Sequence, residues 1–195
     1  MEIKTHNLKA VFPDGEEGKI DFEEMFDGLG NLLKKTENKI LAIDAGTVET
    51  GYCIVGFDTL KPYKFGKIGN EEVLDIINTL SDKDVVVLEQ FKSYGMAIGQ
   101  STIDSIQWNG RFIQRALDNG LRVDMVARME EKMCLCNTSK AKDGNIRQAL
   151  IDRFGEVGTK KNPGFFYGFA KDAWSAMAIA VTWKERENKK IGDQQ

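Results

Sequence analysis

The chain has 195 residues, of which 42% are hydrophobic and 29% charged, and it carries a formal net charge of −3 at pH 7. These values are ordinary for a soluble globular protein, and the length is sufficient for one domain with a full hydrophobic core. No apolar run approaches the roughly 20 residues that a membrane helix requires, and the polar, acidic amino terminus does not resemble a secretory signal. The composition therefore argues against a membrane or secreted protein, and we expect a cytoplasmic location.

Histidine and cysteine usage argues against several kinds of site. The single histidine, His6, lies far in sequence from the candidate acids, so a Ser-His-Asp triad or a histidine-based zinc site is a poor fit. The three cysteines have no framework spacing and indicate a reduced compartment. Cys134 and Cys136 have no partner cysteine or histidine pair nearby, so we interpret them as packed side chains.

The chain is predicted to divide into an acidic amino-terminal extension over 1–38, a globular domain over 39–188 and a polar tail over 189–195. In the extension, apolar residues at helical spacing predict a short helix over 22–33. In the domain, β-branched runs predict strands and longer amphipathic stretches predict helices. The predicted strands are 39–45, 51–58, 62–68, 84–89 and 121–127, and the predicted helices are 70–80, 97–119, 143–154 and 170–188.

The order of these elements predicts an α/β fold with a five-stranded mixed sheet. Short links between the first three strands indicate antiparallel hairpins, whereas helices separate the later strands and indicate parallel crossovers. We therefore expect helices on both faces of the sheet. The first and fourth strands are expected to be neighbours near its centre.

Three carboxylates occupy strongly structured positions. Asp44 ends the first strand, Glu89 ends the fourth, and Asp172 begins the long alanine-rich last helix. An acid at the end of a buried strand is costly unless its charge is compensated, and a divalent cation is the usual partner. The expected topology brings all three together, and the helix amino terminus helps to keep Asp172 ionised. A site made of carboxylates alone predicts Mg²⁺ and phosphate chemistry.

The stretch between Thr138 and Lys171 is locally basic, with seven Lys and Arg residues against three acids. Such a segment beside an acidic metal site suits a polyanionic substrate. From charge alone, solvated lysines on a helix face and in loops explain the pattern equally well.

Four groups of residues form a recognisable series of motifs. The first is 43–47 with 51–52, and the second is 88–90 with 93–96 and 108–112. The third is 145–154, and the fourth is 168–182. Their order and spacing resemble RuvC-type Holliday junction resolvases of the ribonuclease H-like superfamily, especially the versions encoded by phages and prophages. The resemblance covers about 39–186, and the first 38 residues match nothing in it.

The resemblance implies a nuclease domain in which Asp44, Glu89 and Asp172 are the catalytic residues and bind two Mg²⁺ ions, for which Mn²⁺ substitutes. Two such ions clamp a scissile phosphate, activate water and stabilise the leaving 3′-oxygen, which leaves 5′-phosphate and 3′-hydroxyl ends. The implied substrate is branched DNA, above all four-way junctions. A junction has two symmetric strands to cut, so the implied assembly is a homodimer with the 97–119 helix as its dimer element.

Several other residues are implied to contact DNA. Lys140 and Lys142 resemble basic residues that face the cleaved strand. Phe91 and Tyr94 follow Glu89, near the place where resolvases carry an aromatic side chain that stacks on unpaired bases. The full set implied for nucleic-acid binding is Lys140, Lys142, Arg147, Lys160, Lys161, Phe91 and Tyr94.

The position of the family's usual fourth acid, three residues after Asp172, is Ser175 in this chain. Three explanations compete: three acids suffice, another acid such as Asp143 substitutes, or activity is weakened. The third explanation leads to a non-catalytic relative that binds branched DNA. A further alternative is an actin-like or sugar-kinase-type ATP-binding domain, since 44–51 also resembles a phosphate loop of those proteins, although we find no second loop of this kind.

Overall fold

The structure is a computed structural model, and it describes residues 9–11, 17–19, 37–93, 95 and 97–193. Two compact units are present, Met1–Thr36 and Glu37–Gln195. In the first unit, strands β1 (Lys9–Val11) and β2 (Glu17–Lys19) form an antiparallel pair. The helix predicted over 22–33 lies outside the described residues, as does His6.

The second unit contains one sheet and five helices among its described residues. The strands are β3 (Lys39–Asp44), β4 (Glu49–Gly56), β5 (Pro62–Gly69), β6 (Val85–Gln90) and β7 (Arg122–Ala127). The helices are α1 (Asn70–Asn78), α2 (Gln100–Asp118), α3 (Arg128–Cys136), α4 (Asp143–Phe154) and α5 (Lys171–Gly192).

The sheet has the order β5-β4-β3-β6-β7. Strands β3, β4 and β5 are antiparallel neighbours, whereas β3, β6 and β7 run parallel. This arrangement confirms the predicted mixed five-stranded α/β fold. In the β3–β6 register Ile43 lies opposite Leu88, so the two strands end side by side.

The core has one layer on each face of the sheet because β3 and β6 are apolar on both faces. On one face Ile40 and Ala42 pack with α4 and α5. On the other face Leu41 and Ile43 pack with α1 and α2. A strand covered on both sides is expected to be continuously hydrophobic, as β3 is. Helix α5 presents a series of alanines, which allows its backbone to approach the sheet closely, and its Trp183 is fully buried.

The structure differs from the predicted elements at several places. Helix α3 was not predicted, because its sequence is charged and shows no clear apolar period. Helix α5 continues to Gly192, beyond the predicted end at 188, so part of the predicted polar tail is helical. Strand β4 begins at Glu49, two residues before its predicted start. None of the helices in the described part of the chain combines the length and apolar character needed to cross a membrane.

Candidate active site

Asp44 and Glu89 are in direct contact at the carboxyl ends of β3 and β6, where a side-chain hydrogen bond joins them. Burial raises the pKa of both carboxyl groups, and the neighbouring Asp44 charge raises that of Glu89 further, to about 7. The expected adjacency of these two acids is therefore confirmed.

The backbone around this pair is fixed by buried polar contacts. Asn70 accepts a hydrogen bond from the Thr50 hydroxyl at 2.7 Å and donates one to the Gly46 carbonyl at 3.1 Å, which fixes the turn that follows Asp44. Asn109 of α2 donates to the backbone carbonyl of Glu89 at 2.8 Å. Side-chain hydrogen bonds from two buried asparagines thus hold the backbone at each acid.

Asp172 reaches the same region because Gly51 allows α5 to approach β4. Gly51 lies opposite Asp44 in the β3–β4 register. A Cβ atom at Gly51 would lie 2.7 Å from the Asp172 Cβ and 2.8 Å from its backbone oxygen, which is closer than non-bonded atoms approach. The Asp172 charge adds to burial in raising the pKa of Asp44. Lys67 Nζ lies 3.5 Å from Asp172 Oδ2 and 3.4 Å from Glu49 Oε2, so Asp172 has a cationic partner on the open side.

Ser175 and Asp143, the two residues weighed for the fourth-acid position, have different surroundings. Ser175 forms a side-chain hydrogen bond with Asp44, which lowers the pKa of that acid against the effect of burial. Asp143 has a side chain 89% exposed and forms an ion pair with Arg128. Ser175 therefore supports the first acid rather than adding a charge beside it.

An ion pair between a fully buried glutamate and a half-buried arginine, which the sequence did not predict, lies beside the acids. Glu131 of α3 is fully buried, and its Oε2 is 2.5 Å from Arg128 Nη1. Within the described part of the chain, Glu131 Oε1 has no hydrogen-bond partner. Burial, together with the nearby charges of Glu89 and Asp44, raises the pKa of Glu131 to about 8 despite the Arg128 charge. In the sequence, Glu131 resembles any surface glutamate of a charged helix.

The donor set fits a hard divalent cation in its chemistry. Carboxylate oxygens are the ligands that Mg²⁺ prefers, and burial and mutual repulsion oppose ionisation of Asp44 and Glu89 until a cation compensates them. Asp172 lies within electrostatic reach of Asp44. Among the residues that the structure describes, no three Asp, Glu, His or Cys side chains already stand in an arrangement that would hold a metal ion.

A groove of about 420 Å³ opens next to this site. Arg128, Arg147 and Lys171 supply positive charge to its wall, and Asp143 is the acid among its lining residues. The Arg147 guanidinium lies 4.9 Å from the centroid of the Trp174 ring.

The other residues predicted to bind DNA lie on the surface or outside the described part. Lys140 and Lys142 are exposed just before α4, and Lys160 and Lys161 are exposed in the loop between α4 and α5. Phe91 is half-buried immediately after β6, whereas Tyr94 lies outside the described residues.

Comparison with solved structures identifies the architecture. A Thermus thermophilus RuvC structure superposes with a TM-score of 0.57 at 18% identity, covering 77% of this chain and 96% of RuvC. The fold is RuvC-like. The T. thermophilus RuvC in complex with a Holliday junction substrate gives a TM-score of 0.56 at 16% identity, covering 75% of this chain and 92% of that one. No protein-family model and no curated protein sequence matches the chain.

Proposed function

We propose that this protein is a metal-dependent, structure-selective endonuclease that cleaves four-way junctions and related branched DNA. The contact between the half-buried Asp44 and Glu89, with Asp172 close by, is the observation that supports this proposal most directly. Clustered, partly buried carboxylates are expensive for a fold to maintain and are characteristic of functional sites. The RuvC-like fold supports the choice of junction DNA as substrate, since one similar structure is a complex with a Holliday junction.

In this proposal Asp44, Glu89 and Asp172 hold Mg²⁺, for which Mn²⁺ substitutes. When bound, the cations supply an activated water and stabilise the leaving 3′-oxygen of the phosphodiester. Glu89 has to release its proton before it can act as a ligand, so cation affinity is expected to rise with pH through its pKa of about 7. Ser175 orients Asp44 through its hydrogen bond, and Lys67 holds Asp172 in the cation-free protein.

The groove beside the acids is the proposed path of the cleaved strand. Arg147 and Lys171 neutralise phosphates there, while Lys140, Lys142, Lys160 and Lys161 extend the positive surface along the neighbouring loops. We also propose that Phe91 and Tyr94 stack on unpaired bases at the crossover.

A homodimer would present two such sites to the two symmetric strands of a junction. Helix α2 is the proposed dimer element. It leaves Ile103 and Ile106 each 39% exposed, and a Cβ added at Gly99 or Gly110 would meet open space. A second copy packing here would cover apolar surface that the described part of this chain leaves in water. A cytoplasmic location and a phage or prophage origin stay predictions.

A non-catalytic protein that binds branched DNA is the second candidate. Two observations favour this candidate. Ser175 stands where the family's usual fourth acid would bind a cation, and Lys67 contacts Asp172 where a cation would lie.

The deciding assay offers the full chain a labelled four-way junction, a flap and a linear duplex with Mg²⁺ or EDTA. We expect the junction to be nicked when Mg²⁺ is present and not in EDTA.

Asp44→Asn is expected to reduce the cleavage rate at least about 100-fold with little change in junction affinity, since even outer-shell partners of a metal contribute 10–100-fold. Asp75→Asn, an exposed acid on α1, is the matched control and should cleave normally. Binding without nicking would favour the second candidate, and ATP hydrolysis without nicking would support the kinase-like alternative.

A further inference from the structure

Arg128 is the first residue of α3 and follows the carboxyl end of β7 directly. Its guanidinium forms ion pairs in two directions. Nη1 contacts the fully buried Glu131, and Nη2 contacts the exposed Asp143 at the start of α4. The arginine side chain is itself 29% exposed. The guanidinium therefore extends from the protein interior to the surface and is held at both ends by carboxylates.

This guanidinium also acts on the acid pair. The positive charge of Arg128 lowers the pKa of both Asp44 and Glu89 against the effect of burial. The same side chain lines the groove, together with Ser175, whose hydroxyl contacts Asp44. Arg128 thus lines the groove and lies within electrostatic reach of both acids.

Arg128 has donors to spare for a third partner. A guanidinium carries five N–H donors in a planar fork, and it accepts no hydrogen bonds. Within the described chain, its recorded partners are the carboxylates of Glu131 and Asp143. The remaining donors match the geometry of a phosphate group, for which arginine is better suited than lysine.

The burial of Glu131 is explained by the placement of this arginine rather than by stability. A buried ion pair is often no more stable than an apolar pair of similar volume, and here one carboxylate oxygen has no hydrogen-bond partner in the described residues. What Glu131 provides is a buried hydrogen-bond partner that holds one side of the guanidinium, while Asp143 contacts the other side from the surface.

We propose that Arg128 binds a non-bridging oxygen of the phosphodiester that is cleaved, and that Glu131 is the positioning residue that orients it. This inference rests on the proposed endonuclease function and assigns a contact within that site. Cleavage concentrates negative charge on the phosphoryl oxygens, and a preorganised cation at that point stabilises the transition state more than the ground state.

The test measures junction binding in EDTA over a range of salt concentrations and, separately, single-turnover cleavage with Mg²⁺. Arg128→Gln should lower the slope of log affinity against log salt by about 1, as expected for one lost phosphate contact, and slow cleavage about 10²–10³-fold. Arg128→Lys should keep the wild-type salt slope, because the positive charge remains, but it should still slow cleavage, because an ammonium lacks the planar set of donors of a guanidinium. Glu131→Gln should keep the slope and slow cleavage about tenfold.

Arg122→Gln is the matched control. Arg122 forms an ion pair with Glu187 at 2.5 Å, but it lies at the amino end of β7, whereas Arg128 follows the carboxyl end. Its removal should leave the slope and the rate unchanged.

A second variant separates phosphate binding from folding. Arg128→Gln alone leaves Glu131 buried without compensation, whereas the Arg128→Gln, Glu131→Gln double variant removes both charges and should recover a wild-type melting temperature. If this folded double variant also loses one unit of salt slope, the phosphate contact is supported. If it binds with the wild-type slope and cleaves within twofold of wild type, Arg128 only links α3 to α4 and the inference is overturned. Failure of the wild-type chain to cut any junction instead contradicts the endonuclease function, and the salt slope still decides the phosphate contact.

Discussion

Replacing Glu89 with glutamine should stabilise the protein in the absence of divalent cations at pH 8. The pKa of Glu89 is raised by burial and by the adjacent Asp44, from an ordinary value of 4.5 to about 7. Stability contributed by the protonated carboxyl is therefore fully present below pH 4.5 and is lost as the pH rises through 7. Glutamine stays neutral throughout, and its amide group can donate a hydrogen bond to Asp44.

The magnitude follows from the same values. A change of one unit in pKa corresponds to about 1.36 kcal/mol of free energy. Raising the pKa of Glu89 from 4.5 to about 7 therefore gives an upper bound of about 3 kcal/mol for the stability that the wild type loses between low and high pH. Because the proton is shared with Asp44 and the site is partly open, we expect about 2 kcal/mol. The Glu131 carboxyl, with a pKa of about 8, contributes a similar pH dependence to both proteins and largely cancels in their difference.

The assay is urea denaturation of wild type and Glu89→Gln in EDTA at pH 5 and pH 8. The difference in unfolding free energy should be about 0.5 kcal/mol at pH 5, where the unfolded carboxyl is already mostly ionised, and about 2 kcal/mol at pH 8, in favour of the variant at both. Mg²⁺ at pH 8 should stabilise the wild type and not the variant. Glu71→Gln, at an exposed residue paired with Arg111, is the control and should change little at either pH. A variant less stable than wild type at pH 8 would refute the description of Glu89 as a buried, proton-sharing acid.

Two further substitutions test how the site is built. Gly51→Ala should destabilise the protein by about 1–3 kcal/mol and reduce cleavage, because the new Cβ would lie 2.8 Å from the backbone oxygen of Asp172. Gly192→Ala is the control, because a Cβ there would meet open space, and it should leave the melting temperature unchanged. Ser175→Ala should lower the free energy of unfolding by about 1.5–3 kcal/mol at pH 8, since the charged form of Asp44 loses a hydrogen bond. The same loss should move the pH midpoint of cleavage upward. An unchanged pH profile of cleavage would argue against this role for Ser175.

The sheet was predictable because its signals are local. The apolar run of β3 and the β-branched run of β6 are too short for helices, and the segment between them contains enough residues for a crossover. Once β3 and β6 are placed as parallel neighbours, Asp44 and Glu89 have to stand side by side. Their contact therefore follows from pattern and topology alone, whereas their role as metal ligands stays a prediction.

The Arg128–Glu131 pair was not predictable because its meaning depends on tertiary packing. In the sequence, 128–136 is a charged stretch with scattered Met and Cys residues and no apolar stripe. Glu131 becomes buried only when α3 docks beside α5 and the sheet. Similarly, nothing in the sequence indicates that Ser175 contacts Asp44, since this contact requires the register of α5 against β3.

Binding of Mn²⁺ to the DNA-free protein tests most directly whether Asp44, Glu89 and Asp172 share a cation. Titration calorimetry at pH 8 should detect binding to the wild type, and Asp44→Asn, Glu89→Gln and Asp172→Asn should each weaken it at least tenfold. Asp75→Asn should bind as wild type does. Equal Mn²⁺ affinity in wild type and all three site variants would contradict a shared cation and remove the basis of the endonuclease proposal.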